Sequence, residues 1–220
     1  MASVYIETTI PSYLTAWCSP ELSMAAKQQT TRQWWDERRQ QFDLFISDAV
    51  LLEASGGDPD AAQRRLKVLD GIPVLNPLPE ADEIVVALVD RLSLPVRALT
   101  DAAHIALCIV HGMDYLLTWN CTHIANATFQ RIIHDVCDDF GFAMPVICTS
   151  DQLMGMTMTL DPILAEVRRV REEYAQQFHG DVHAMMDDLR RRHRESDRQS
   201  ASLAPKPRRK TPVISKQNGA

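Results

Sequence analysis

The sequence predicts a three-layer α/β/α fold with a parallel central sheet, followed by a short helical appendage. Three observations lead there. Between residues 1 and 150, short β-rich runs alternate with longer runs whose apolar residues recur at three- and four-residue spacing. The connections between them are short, and strand–helix alternation of that kind buries a parallel sheet between helices. From Gln152 onward the alternation stops and only helical periodicity remains.

Taken in order, Val4-Tyr5-Ile6 is a short buried strand that runs straight into Glu7. Residues 23–41 read as one helix, and Leu44-Phe45-Ile46 as the second strand. Ser47 is placed to cap a helix carrying Val50, Leu51 and Glu53. Residues 61–69 continue helically, and Pro73-Val74-Leu75 forms the third strand. Pro79 opens a helix with Ile84, Val85, Leu88 and Leu92 on its apolar stripe. Thr100 is the expected cap of the next helix, apolar on most faces through Ile105, Leu107, Cys108 and Ile109. Tyr115-Leu116-Leu117-Thr118 is the clearest strand, Asn126 the expected cap of a helix ended by Gly141, and Val146-Ile147-Cys148 the last strand. The core should include Val4, Ile6, Leu44, Phe45, Leu116, Leu117, Val146 and Ile147.

Composition narrows the setting. No apolar run approaches the roughly 18 residues that span a bilayer, so no membrane segment is expected. The N-terminus has no basic region and reaches a carboxylate at Glu7, unlike a signal peptide. Five cysteines without a CxxC pair read as reduced thiols of a cytoplasmic protein. The net charge of −6 is unevenly spread: residues 1–160 carry 10 basic and 20 acidic side chains, and residues 161–220 carry 13 and 9. An acidic body of net −10 beside a tail of net +4 suggests electrostatic pairing within one chain or between subunits.

That tail has its own organisation. The expected domains are 1–150, a linker over 151–160, a helical segment over 161–194, and a basic tail over 195–220 expected to be disordered when free. Asp161 and Pro162 open a helix with Ile163, Val167, Val170, Tyr174 and Phe178 on one stripe. Gly180 interrupts it, and Asp181 caps a second helix carrying Val182, Met185, Met186 and Leu189. So short a pair cannot bury its stripe on itself.

In an open α/β sheet, ligands bind beyond the carboxyl ends of the strands. Glu7 ends the first strand, Glu53 lies in the helix after the second, Asp101 in the first turn of a later helix, and Asn120 beyond the strongest strand. Three carboxylates and an amide from four elements repel one another unless a cation joins them. Oxygen ligands without Cys or an HExxH spacing suit Mg²⁺ or Mn²⁺, the apparatus of phosphoryl chemistry. Each also has a plain structural reading: Asp101 favours a helix N-terminus, Glu53 is solvated, Asn120 supports a turn. Thr8, Thr9 and Ser12 offer hydroxyls to a phosphate or to the carboxylates, and His123 is placed to contact the phosphate or leaving group. His104 and His111, seven residues apart on one helix, read as core or dimer packing. Trp34-Trp35 beside Arg32, Arg38 and Arg39 has two readings, an RNA-stacking platform and a buried aromatic pair.

The segments Tyr5-Ile-Glu-Thr-Thr-Ile-Pro-Ser-Tyr-Leu14, Thr100-Asp-Ala-Ala-His-Ile-Ala106 and Leu116-Leu-Thr-Trp-Asn-Cys-Thr-His123, with Glu53 between them, resemble PIN-domain ribonucleases. The resemblance is strongest to VapC-type toxins of bacterial toxin–antitoxin pairs and covers residues 3–150. It implies a divalent-metal-dependent endoribonuclease acting on RNA, with Glu7, Glu53, Asp101 and Asn120 as catalytic metal ligands. Two positions depart from the family pattern: Glu7 and Asn120 each stand where Asp is usual, which favours one metal over two. Residues 161–190 and the Leu203–Arg208 stretch resemble antitoxin-like partners of such toxins. That implies a toxin fused to its own inhibitor in cis or in trans across a homodimer, or one that meets a separate antitoxin. Arg190, Arg191, Arg192, Arg208 and Arg209 are then the candidate inhibitory cations. The other readings are helices that complete the domain or a homo-oligomer, and an Arg-rich tail that binds RNA.

Overall fold

In the computed structural model, which describes residues 1–154 and 162–196, the chain divides into two units, Met1–Thr157 and Met158–Ala220. The first is built on five parallel strands: β1 (Ala2–Ile6), β2 (Phe42–Ser47), β3 (Val74–Leu75), β4 (Tyr115–Leu117) and β5 (Val146–Cys148). They lie in the order β3-β2-β1-β4-β5. β1 is central, with Tyr5 opposite Phe45 on one side and Leu116 on the other. A central parallel strand is covered on both faces, which is why Val4, Tyr5 and Ile6 are all fully buried, as are Leu116 and Leu117 of β4. Towards the edges the burial thins. Ile147 is buried, but Leu44 and Phe45 are only half-buried, and Val146 is 56% exposed because it starts an edge strand.

Among the described residues, seven α-helices flank the sheet: α1 (Thr9–Thr15), α2 (Leu22–Glu37), α3 (Asp48–Ser55), α4 (Pro59–Leu69), α5 (Pro79–Leu92), α6 (Leu99–Val110) and α7 (Gln130–Phe140). They fall into two packed groups. α1 meets α2 and α4, and α3 meets α4; separately, α5 meets α6 and α7. This is the three-layer α/β/α arrangement with a parallel sheet.

Local chemistry sets most helix ends. The Ser47 hydroxyl accepts the Val50 N–H at 3.4 Å and caps α3, and Asp58 caps α4 ahead of Pro59. Gly141 ends α7 in the left-handed region at φ 75°. Three boundaries differ from expectation. α6 starts at Leu99, so Thr100 lies inside its first turn and caps nothing. Asn126 instead accepts the Thr128 N–H and hydroxyl at 3.0 and 2.7 Å, which makes a turn ahead of α7. α1 was not legible as a helix: it has seven residues, no side-chain cap, and Pro11 in its first turn, where the missing N–H costs nothing.

The tryptophan pair of α2 belongs to the core. Trp34 is fully buried and stacks on Phe42 at 6.0 Å, and Trp35 is buried beneath the Arg39 guanidinium at 4.9 Å. It is no base-stacking platform. Past β5, a 3₁₀ turn at Gln152–Met154 buries Leu153 and Met154, so the first unit continues into the stretch expected as linker.

The second unit contains α8 (Pro162–Gln176) and α9 (Val182–Arg194). His179 and Gly180 take left-handed backbone between them, and Asp181 caps α9 by accepting the Ala184 N–H at 3.0 Å. The Tyr174 hydroxyl donates to Asp188 at 2.8 Å and joins the two helices. Val167, Val170, Val182, Met186 and Leu189 are exposed. Arg190 pairs with Asp187 at 2.7 Å, and Arg191 and Arg192 both pair with Asp188. Arg208 and Arg209 lie outside the described residues. Among the described residues no helix is long and apolar enough to cross a membrane.

Candidate active site

The strand order reverses direction at β1. The chain moves from β1 out to β2 and β3, then returns to place β4 and β5 on the other side. The crevice beyond the carboxyl ends of β1 and β4 is therefore the switch point where ligands of such sheets bind. Glu7 enters it from β1, its N–H donating to Leu117 of β4 at 3.1 Å.

Glu7 is 4% exposed, and a buried carboxylate is costly unless hydrogen-bonded. Its Oε2 accepts three hydrogen bonds, from the Thr9 N–H at 3.1 Å, the Thr9 hydroxyl at 2.5 Å and the Thr118 hydroxyl at 2.7 Å. Each threonine oxygen in turn accepts a backbone N–H from the loop after β4. Thr9 takes that of Trp119 at 2.7 Å, and Thr118 takes that of Asn120 at 2.9 Å. The two hydroxyls thus tie the acid of β1 to the strand end of β4. No hydrogen bond reaches Oε1 of Glu7 among the described residues.

Glu53 comes from the far end of α3 and is 35% exposed at its side chain. The Thr8 hydroxyl and His104 Nε2, the latter at 3.3 Å, both contact its Oε2. Partial burial works against its ionisation, but the hydrogen bonds from His104 and Thr8 and the electrostatic effect of His104 outweigh it. The carboxyl is held below its ordinary value.

Among the described residues, Glu7, Glu53 and His104 each offer a ligand atom within 4.8 Å of the others. Two carboxylates with neighbouring hydroxyls suit a hard divalent ion such as Mg²⁺ or Mn²⁺. The donor set fits such an ion, with Glu7 and Glu53 as the residues to hold it, since His104 Nε2 already serves Glu53.

Asp101 is not part of that trio. Its Oδ1 accepts the Asn120 side-chain amide at 2.8 Å, and its Oδ2 meets His123 Nδ1 at 2.8 Å. Asn120 Oδ1 accepts the His123 N–H at 3.1 Å, which closes a three-residue ring. Asp101 and His123 are 18% and 23% exposed, so the pair stands at the surface of the crevice. The sequence-predicted residues therefore assemble in two clusters, Glu7–Glu53 and Asp101–Asn120–His123, bridged by the Thr118 hydroxyl. The hydroxyls of Thr8 and Thr9 serve the carboxylates. The Ser12 side chain takes no part in these hydrogen bonds.

Four participants were not singled out for the site by sequence: Thr118, His104, Tyr5 and Ser47. Thr118 had a weak signal, a hydroxyl at the end of an apolar strand. Tyr5 is fully buried on β1, its hydroxyl 2.7 Å from His104 Nδ1 and 2.6 Å from the Ser47 oxygen. Burial pushes its phenol far above the ordinary value, with the nearby Cys108 adding and the Ser47 hydrogen bond opposing, so Tyr5 stays a protonated donor.

Comparison with known proteins adds one likeness. A chain of the crystal structure of VapBC2 from Rickettsia felis bound to a DNA fragment from their promoter is similar over 67% of this chain and 98% of that one, at 13% identity and a TM-score of 0.41. No family model and no curated protein matches.

Proposed function

We propose that the first unit is a divalent-metal-dependent endoribonuclease that hydrolyses RNA phosphodiesters, restrained by the C-terminal segment of its own chain. The observation that carries this reading is the approach of Glu7 and Glu53 at the switch-point crevice. Ligand atoms of two carboxylates within 4.8 Å of each other, beside threonine hydroxyls, are a donor set for one hard divalent cation. The sequence resemblance to PIN-domain ribonucleases supports the same chemistry.

When bound, Mg²⁺ or Mn²⁺ supplies a polarised water and neutralises charge developing on the phosphate. The protein supplies the rest. Glu7, immobilised by two threonine hydroxyls, and Glu53 would hold the ion. Glu53, kept ionised by its hydrogen bonds from His104 and Thr8, would also orient the attacking water, whose proton passes to solvent. Asp101 fixes His123 through Nδ1 and leaves Nε2 to give a proton to the departing sugar oxygen. Asn120 holds Asp101 and the His123 backbone in register.

Restraint rests on the charge division between −10 and +4 and on the exposed apolar residues of α8 and α9. The tail acts in cis, across a homodimer, or beside a separate antitoxin. A second reading, a catalytically silent module that binds RNA or a protein partner, is favoured by one observation. Both oxygens of Asp101 are already satisfied inside the protein, so that half of the site holds together without a cation.

Incubation of the purified chain with total RNA and Mg²⁺ or Mn²⁺ separates the two. Metal-dependent cleavage that is lost in Glu7→Gln and Asp101→Ala supports the nuclease; no cleavage with any metal, even after residues 158–220 are removed, leaves the binding module. Greater cleavage on that removal supports restraint, and equal cleavage refutes it.

A further inference from the structure

Behind Glu53 runs a buried polar chain that crosses three elements. Ser47 at the end of β2, Tyr5 of β1 and His104 of α6 are each buried, and they are linked in sequence to Glu53 of α3. The steps are 2.6 Å from Ser47 Oγ to the Tyr5 hydroxyl, 2.7 Å from there to His104 Nδ1, and 3.3 Å from His104 Nε2 to Glu53 Oε2.

For a neutral His104 ring, donor and acceptor counting fixes the direction of every proton. A carboxylate only accepts, so Nε2 carries the hydrogen it gives to Glu53. Nδ1 of a neutral imidazole is then an acceptor, and the Tyr5 hydroxyl must donate to it. The phenol oxygen accepts from the Ser47 hydroxyl, whose own oxygen accepts the Val50 N–H. Every link is satisfied, with no alternative arrangement for a neutral ring. A buried network that is fully satisfied is rigid, and it transmits that rigidity to its last member.

Its last member is the half-exposed carboxylate facing Glu7. His104 and Thr8 hold one oxygen of Glu53, as Thr9 and Thr118 hold one oxygen of Glu7. Each acid is thereby held by one oxygen, while no hydrogen bond reaches the other among the described residues.

We propose that His104, itself fixed by Tyr5 and Ser47, is a positioning residue that presents Glu53 to a divalent cation shared with Glu7. This rests on the reading of Glu7 and Glu53 as cation ligands. Orienting partners behind a ligand are worth roughly 10–100-fold in metal affinity.

The test uses the full chain and Mn²⁺ binding followed by calorimetry, with folding of each variant checked by thermal melts. Wild type binds, and Glu53→Gln loses binding. His104→Leu, which fills the space without a donor, is expected to weaken Mn²⁺ about tenfold or more, and His104→Gln, whose amide can donate to Glu53, to stay within about threefold. In the metal-free chain, side-chain ¹⁵N NMR should show His104 as the Nε2–H tautomer, and Tyr5→Phe, which removes one oxygen, should disturb that signature and weaken Mn²⁺ binding. Should His104→Leu fail to fold, the tautomer and Tyr5→Phe decide. Equal affinity of the folded Leu and Gln variants, an Nδ1–H tautomer, or unchanged binding in Tyr5→Phe overturns the positioning role. Absence of Mn²⁺ binding by wild type with the Nε2–H tautomer present overturns the cation reading instead, and the positioning role falls with it.

Discussion

Thr118 should matter more than its size suggests. Its hydroxyl donates to Glu7 at 2.7 Å and accepts the Asn120 N–H at 2.9 Å, from a position with no exposure at all. Thr118→Val keeps the shape and removes both bonds. A hydrogen bond to a charged group is worth about 1.5–3 kcal/mol, and a buried N–H left without a partner costs about 1–3 kcal/mol. Thr9 still contacts the same Glu7 oxygen through its hydroxyl and N–H, so part of the first loss is recovered. A net destabilisation of about 3 kcal/mol is expected, which for a unit of this length lowers Tm by about 6–12 °C. Thr118→Ser is the control: it keeps the hydroxyl and loses one buried methyl, about 0.8 kcal/mol. Thermal denaturation of both variants in EDTA measures the difference directly. If Thr118→Val melts within 2–3 °C of Thr118→Ser by about the same order of error, the hydroxyl does not hold Glu7, and the bridge between the two clusters is not what joins them.

Other outcomes follow from the same geometry. Asn120→Asp sets a carboxylate against Asp101 where an amide now donates at 2.8 Å, so it should melt several degrees lower in EDTA, recover with Mn²⁺, and cut RNA faster if a second ion limits the wild type; equal melting in EDTA would contradict the Asn120–Asp101 contact. In the second unit, hydrogen bonds from Arg192 and Tyr174, with Arg191, hold Asp188 down at about 2. Because the folded value lies below the ordinary 3.8, that contribution is whole above the ordinary value and disappears as pH falls through about 2. Carboxyl ¹³C NMR should place the Asp188 midpoint there, and a midpoint at the ordinary carboxylate value would remove the cluster. Burial raises the thiols of Cys108 well above their ordinary range, of Cys137 to about 11 and of Cys148 to about 12, with Asp138 and Asp151 adding to the last two. Cys18 and Cys121 are exposed, so a thiol reagent should label those two at once and the other three only in denaturant. Rapid labelling of Cys148 in the native chain would be inconsistent with the burial of β5.

Why some of this was legible in the sequence and some was not has a physical basis. A central parallel strand buried on both faces must be apolar throughout, so Val4-Tyr5-Ile6 and Leu116-Leu117 announce themselves, and a carboxylate directly after such a strand stands out. Edge strands lack that constraint, which is why Val146 reads as core and is exposed. α1 was missed because seven residues with a proline in the first turn carry no helical stripe. His104 reads as core or dimer packing, and the structure buries it on the apolar side of α6. Its chemistry is set by Tyr5, 99 positions away, and periodicity tells which face a residue occupies, not what it meets there.

The pairing of the acids was hidden for a related reason. Alternation of strands and helices predicts that Glu7, Glu53, Asp101 and Asn120 all lie at one end of the sheet, but it does not encode lateral order. The order β3-β2-β1-β4-β5 seats β4 directly beside β1, which brings the Thr118 hydroxyl to Glu7. Were β4 one strand further out, the same residues would still end their strands, yet about 4.8 Å of sheet would separate each hydroxyl from its acid. The hydroxyl that follows β4, not the number of acids, is therefore the feature through which this topology builds its site. A chain with the same acids and an aliphatic residue at position 118 should keep the fold and lose the geometry.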